Sequence, residues 1–306
     1  MGRLLAVANQ KGGVGKTTTV LHLAAALATF GYKVLAVDLD PQASLTLWSG
    51  FEPDDLEPTV YQGLVGPARV RMSLAEAEAA ASCEDGNDRT AGREDGARHD
   101  GGEEIPADEI ILRTRLGYDL LPANADLALA EMDLVNLMAR ERRLGLLLTP
   151  VRSQYDFILI DCQPSLGLLT VNALAASDEL LVPVSCEFLA WRALRVLFRL
   201  AGRIRLELNS QLKLTGVIPT MLDTRTRHSR EILETLETRL AQVIPVLEPP
   251  VHRSIRFSDA SQARRSVFEI APDVPGAAAY QQLAQAVAAA KPARMRAWRE
   301  ILAAIR

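Results

Sequence analysis

The chain has 306 residues, 48% of them hydrophobic and 24% charged, enough for one large domain or two small ones with a sizeable core. Its apolar runs, such as "FILI" and "ELLVPV", fall far short of the ~20 residues a bilayer-spanning helix needs. Three scattered cysteines, Cys83, Cys162 and Cys186, give neither a disulfide framework nor a metal-ligand spacing and read as reduced thiols of a cytoplasmic protein. The net charge of −4 is uneven: ten acidic and three basic residues over Cys83–Glu109 carry −7 and leave +3 on the rest, so a polyanionic partner stays open.

Leu4–Ala8 is a short apolar run ending in a glycine loop, the form of a buried parallel strand. The loop comes within a dozen residues of Met1, so no signal peptide is expected. From Lys16, apolar residues recur at Val20, Leu23, Ala24 and Leu27 with helical spacing, and Gly31 suits a stop. "KVLAVDLD" reads as the next strand, which completes a strand–helix–strand unit of a parallel sheet.

Residues Ser82–Gly102, without apolar periodicity and rich in Gly, Asp, Glu and Arg, have the composition of a disordered acidic insertion. The alternation then resumes. Phe157–Asp161 and Glu179–Val184 read as strands around a helix over Leu168–Ala176. A helix over about Leu189–Leu208, the strand "KLTGVIPT" and a helix over Ser229–Leu240 follow. The expected fold is α/β: a single doubly wound, mainly parallel sheet with helices on both faces, spanning residues 1–290. Residues 291–306 form a basic amphipathic tail, with Met295, Trp298, Ile301, Leu302 and Ile305 on one helical face.

A glycine loop between a strand and a helix N-terminus offers backbone N–H groups, and the positive end of the helix dipole, to an anion. Gly12, Gly13 and Gly15 let that backbone approach phosphates; Lys16 then reaches the β/γ-phosphates and the Thr17 hydroxyl serves Mg²⁺. Gln10 stands where the usual phosphate-loop spacing puts glycine, and the match begins at Lys11, so the loop carries two lysines.

"KGGVGKTT" resembles the deviant Walker A box of the ParA/MinD group of P-loop ATPases, whose extra signature lysine is here Lys11. The resemblance implies that two subunits pack face to face around two ATP molecules, with Lys11 crossing to the partner's phosphates as an arginine finger does. Lys11–Thr18, including Val14, would contact the nucleotide. "DLDPQASLT" (Asp38–Thr46) is similar to the ParA switch I, in which Asp40 orients the attacking water and Asp38 belongs to the metal site. "FILIDCQPSLGLLTVNAL" resembles the Walker B and switch II segment, with Asp161 holding Mg²⁺ through water. Gln163 stands there where the family usually has proline.

In the C-terminal half, "LLVPVSCEFLAWRAL", "GVIPTMLDTRTRHSREILETL" and "SIRFSDASQARRS" all look like ParA segments. The resemblance places Met221, Val251, His252 and Arg253 at the adenine and Arg225, Arg227, Arg253 and Arg256 on a DNA surface. Such arginines neutralise phosphates and read no bases. The absence of an N-terminal helix-turn-helix segment points to the short ParA form.

The implied function is a cytoplasmic, nucleoid-associated ATPase of DNA segregation. It would be a homodimer when ATP-bound, bind double-stranded DNA non-specifically, and be released through hydrolysis stimulated by a ParB-like centromere-binding partner. The rival is a membrane-surface switch like MinD, anchored by the tail; the "DPQ" continuation and the two arginine segments favour ParA. An iron–sulfur reductase would need paired cysteines. His22, His99 and His228 read as packing or surface residues, Trp48 and Trp191 as core or interface fillers, and the Arg192, Arg195, Arg199 and Arg203 stripe as a solvated helix face.

Overall fold

Successive residues of the first strand point to opposite layers: Leu4 and Ala6 into one apolar core, Leu5 and Val7 into the other. That two-sided burial is why the strands read as unbroken apolar runs. The computed structural model describes residues 1–66, 105–187, 190–290, 300, 301 and 303. The acidic segment Ser82–Gly102 lies outside them. So does the tail, except for Glu300, Ile301 and Ala303, and Ile301 is buried in the larger core layer.

Among the described residues, seven strands form one sheet in the order β3-β4-β2-β5-β1-β6-β7. They are β1 (Arg3–Val7), β2 (Val34–Leu39), β3 (Leu112–Arg113), β4 (Asp119–Leu121), β5 (Phe157–Cys162), β6 (Glu179–Ser185) and β7 (Lys213–Thr220). All pairings are parallel except β3 with β4 at the edge. Helix α1 (Lys16–Thr29) covers one face together with the C-terminal helix Pro275–Ala289. Helix α2 (Ser44–Trp48) packs at the rim of that same face, with Leu45 in its core. On the other face lie α3 to α7. These are Val60–Val65, Ala107–Ile110, Ala130–Leu134, Arg143–Leu148 and Leu168–Ala176; α8 (Ala190–Glu207) follows them on the same face. Each fully buried Leu, Ile or Val contributes roughly 1.5–3 kcal/mol by leaving water. A mainly parallel doubly wound sheet is therefore what the chain forms.

One expectation needs correction, and two strands were not foreseen. The helix expected over Ser229–Leu240 is α9 (Arg227–Thr235) followed by a π-helical turn, Leu236–Leu240. It starts two residues early because the Thr226 side chain caps it, accepting from the Ser229 N–H. The edge strand β3 and its neighbour β4, two and three residues long, carry too few side chains to show an alternation in sequence.

The phosphate-loop helix is tied to the C-terminal segment through His22. Its Nε2 accepts from the Val267 N–H at 3.1 Å, which leaves Nδ1 protonated and donating to the Thr18 carbonyl at 2.8 Å. The ring stacks on Tyr280 and meets Phe257 and Phe268 edge-on. Burial lowers the imidazole pKa to about 4, the Thr18 carbonyl opposing only in part. The unfolded chain binds this proton at about pH 6.5, so the neutral ring's contribution is complete above that pH and is lost as pH falls toward 4. It is worth about 3 kcal/mol. Denaturant unfolding should therefore show His22→Gln and the parent losing stability at different rates between pH 6.5 and 4, the parent faster; parallel curves would contradict the assignment.

Candidate functional site: a phosphate loop with paired carboxylates

The loop between β1 and α1 is fastened at both sides before any ligand arrives. Asn9 Nδ2 donates to the Pro183 carbonyl at 2.6 Å while its Oδ1 accepts from the Lys11 N–H at 3.0 Å. Thr220 Oγ1, at the end of β7, donates to the Val14 carbonyl at 2.8 Å. Gly13 and Gly15 sit in the left-handed region, φ +72° and +83°, where a Cβ would be strained. Gly15 caps α1 without a side chain, so the first N–H groups of a 14-residue helix face outward with the positive end of its dipole. Nothing stands within 4 Å of where a Cβ would project at Gly12 or Gly13. The loop is an open anion cradle.

Lys16 opens α1 and is buried to 7% exposure. Burial lowers its pKa, while the Asp161, Cys162 and Asp40 side chains around it favour the charged form. Asp38 and Asp161 stand opposite each other in the β2–β5 register, at the C-terminal ends of their strands. Asp38 accepts from the Thr46 N–H and hydroxyl, both at 2.8 Å, yet burial still pushes its pKa up to about 6. Asp161 is raised well above the carboxylate range, first by burial and then by the Asp38 charge. Neither of its oxygens has a hydrogen bond of acceptable geometry, although the Thr17 hydroxyl is near enough to favour its charged form.

Two buried carboxylates with unspent acceptor capacity, beside a threonine hydroxyl, are an oxygen-rich donor set with, among the described residues, only the Lys16 ammonium to offset two carboxylates. That suits Mg²⁺, which takes oxygen ligands and keeps several waters. Asp40 follows on the rim of the site. Its own carboxylate accepts from the Gln42 N–H at 3.0 Å and its carbonyl from the Ala43 N–H at 2.8 Å, so a local turn aims the side chain. The resemblance had grouped residues 16, 17, 38, 40 and 161, and the parallel register sets Asp38 and Asp161 side by side.

Lys11, in this single chain, turns toward β6. Its ammonium pairs with Glu187 and donates to Ser185 Oγ at 3.1 Å. Glu187 and Ser185 were not singled out from the sequence, although "VPVSCE" places polar groups just past a strand that neighbours β1. The Lys11 ammonium holds the Glu187 carboxyl below its usual range.

A cavity of about 800 Å³ opens beside the glycine loop, with Gly13, Gly15, Met221, Val251, His252 and Trp48 among its walls. Met221 adopts φ +53°, and Leu222 and His252 form a parallel bridge that holds segments 219–222 and 251–253 together. Trp48, read from sequence as a core or interface filler, is half-buried and lines this cavity. Arg225 and Arg253 line its mouth, and Arg256 follows directly in α10 (Ile255–Gln262).

Three of the four arginines expected to meet a polyanion are paired within the chain. Arg225 makes a bidentate contact to Asp223 at 2.9 and 2.7 Å, Arg227 meets Glu231 at 2.6 Å and Arg256 meets Asp259 at 3.1 Å. These pairs are exposed, and exposed pairs are worth ~0–1 kcal/mol, so a phosphate can displace the carboxylate at little cost. Arg253 stands near both Asp223 and Glu187 and lowers the pKa of each, after their closer partners.

A family model described as an AAA domain matches residues 2–214. The sporulation initiation inhibitor protein Soj of Bacillus subtilis is 37% identical over 94% of this chain and 99% of its own length. The chromosome partitioning protein ParA of Caulobacter vibrioides is 34% identical over 93% of each chain. Among solved structures, a Mycobacterium smegmatis protein named cobyrinic acid a,c-diamide synthase, with bound ADP and magnesium, is 36% identical over 94% of each chain, with a TM-score of 0.72. Deviant phosphate loop, carboxylate register and full-length similarity together place the chain in the ParA/Soj family of chromosome-partitioning P-loop ATPases.

Proposed function

We propose that this chain is a Mg²⁺-dependent ATPase of DNA segregation that binds DNA as an ATP-bound homodimer. The observation that carries the reading is the convergence of Lys16, Asp38 and Asp161 on an open glycine loop whose neighbouring cavity ends in a rim of arginines. The glycine loop N–H groups and Lys16 hold the phosphates. Thr17, Asp38 and Asp161 would hold Mg²⁺, which supplies charge neutralisation at the β- and γ-phosphates. Asp40 orients the attacking water, and the base lies against Met221, Val251, His252 and Arg253. The ADP and magnesium in the Mycobacterium smegmatis structure support this assignment. Amide synthesis is the activity in that protein's name; the Soj and ParA relatives, similar over nearly their whole length, favour DNA segregation for this chain.

Lys11 makes dimerisation and ATP binding one event. To reach a partner's phosphates it exchanges Glu187 for a more highly charged anion, so the contact seen within one chain holds it in reserve. A ParB-like partner then stimulates hydrolysis and returns the dimer to monomers that release DNA. Light scattering with and without ATP tests the reading. The parent should double in mass with ATP and not with ADP, whereas Lys11→Ala should stay monomeric while still binding ATP. A Lys11→Ala protein that dimerises like the parent would remove the role across the interface.

A further inference from the structure

Switch II leaves β5 at Gln163 and runs along the surface to the start of α7 (Leu168–Ala176), with Pro164 and Ser165 exposed. Its internal bonds are local: Thr170 Oγ1 donates to the Ser165 carbonyl at 2.7 Å, and the Gly167 N–H reaches Ser165 Oγ at 3.3 Å. A longer-range tie comes from Gln163, whose Nε2 donates to Glu131 Oε1 at 3.0 Å across 32 residues of sequence. Glu131 belongs to α5 (Ala130–Leu134), which packs against α7 in the same core layer.

The place where this carboxylate rests is kept open by a glycine. A Cβ at Gly167 would overlap the carboxylate, with Glu131 Cδ only 2.7 Å away. Gly167 has φ −77° and ψ −166°, ordinary extended backbone, so its lack of a side chain answers to space and not to strain. It also caps α7 with no side chain of its own, and a carboxylate beside that N-terminus is favoured by the helix dipole. Two separate features, the Gln163 donor and the Gly167 space, thus serve one side chain. Gln163 lies two residues after Asp161, the buried carboxylate without an acceptable hydrogen bond.

We propose that Glu131 is a positioning residue for ATP hydrolysis: gripped by the Gln163 amide in the space left by Gly167, it ties switch II to α5 and fixes where Asp161 stands. A proline at 163 would have no side-chain amide to offer, so the tie depends on this chain's glutamine. The inference rests on the ATPase reading above.

The test uses the full chain and two readouts, steady-state hydrolysis and a Mg²⁺ titration of the binding of a fluorescent, slowly hydrolysed ATP analogue. Glu131→Ala should lower kcat about tenfold and raise the Mg²⁺ needed for half-maximal binding by a similar factor, the scale of one charge-assisted hydrogen bond. KM for ATP should stay within about twofold, because the phosphate loop is untouched. Glu131→Gln, which keeps an acceptor for the Gln163 amide, should recover most of the loss. Gly167→Ala should reproduce the Glu131→Ala defect alone and add nothing once Glu131 is replaced, the signature of two residues acting through one contact. Unchanged kcat and Mg²⁺ dependence in Glu131→Ala, or a Gly167→Ala effect of equal size in both backgrounds, would overturn the proposal. A parent chain that binds no nucleotide would instead overturn the ATPase reading.

Discussion

Lys16→Ala should weaken ATP binding by at least about a hundredfold, since removing one partner of a buried charge pair costs roughly 3–5 kcal/mol. Lys16 is the cation already inside the site, buried and flanked by Asp161 and Asp40, with its pKa pulled down by desolvation. A phosphate entering the loop meets a charge whose hydration has been given up during folding, so little of the attraction is spent on drying it. Alanine is a good first residue for α1, so the helix itself survives the change. Titration calorimetry with Mg²⁺ and ATP should show no measurable heat of binding for the variant; affinity within tenfold of the parent would mean that the phosphates lie elsewhere.

Asp40→Ala should do the reverse, leaving binding intact and slowing turnover by about 10²–10⁴, the usual weight of a positioned acid–base group. Asp40 stands on the rim, placed by the turn through Gln42 and Ala43, while the buried Asp38 and Asp161 stay in place without it. A group that serves the water and not the ground-state phosphates affects kcat without affecting affinity. The ATP-bound dimer should therefore accumulate, visible as a stable species in size-exclusion chromatography with ATP. Turnover at the parent's rate would assign the water to another residue.

The phosphate site was legible in sequence because its chemistry is local: Gly12–Thr18 lie within one strand–loop–helix unit, Arg3–Thr29, and each carboxylate ends an apolar run. The parallel pairing that sets Asp38 beside Asp161 followed from the same alternation of elements. What was illegible is held by contacts distant in sequence. Lys11 pairs with Glu187 across 176 residues, Thr220 with Val14 across 206, and His22 with Val267 across 245. No periodicity announces such pairs. The arginines illustrate a different gap: their positions were read correctly as exposed, but their carboxylate partners, Asp223, Glu231 and Asp259, were passed over although each lies within four residues. The two shortest strands failed for lack of length, and the Glu131–Gln163 tie because it joins a short helix to a loop 32 residues away.

On the function proposed above, ATP should assemble a DNA-binding surface from the arginines of two subunits. Each phosphate contact steepens the fall of log K with log salt by about 0.9, so a surface doubled by dimerisation shows itself in the slope as well as in the affinity. The direct measurement is fluorescence anisotropy of a labelled duplex over a salt series, with ATP or ADP, for the parent, Arg225→Glu and Arg256→Glu. Binding should be weak with ADP, strong and steeply salt-dependent with ATP, indifferent to duplex sequence, and lost in both variants even though they still dimerise with ATP. Equal binding with ADP and ATP, or binding unchanged in both arginine variants, would contradict the account.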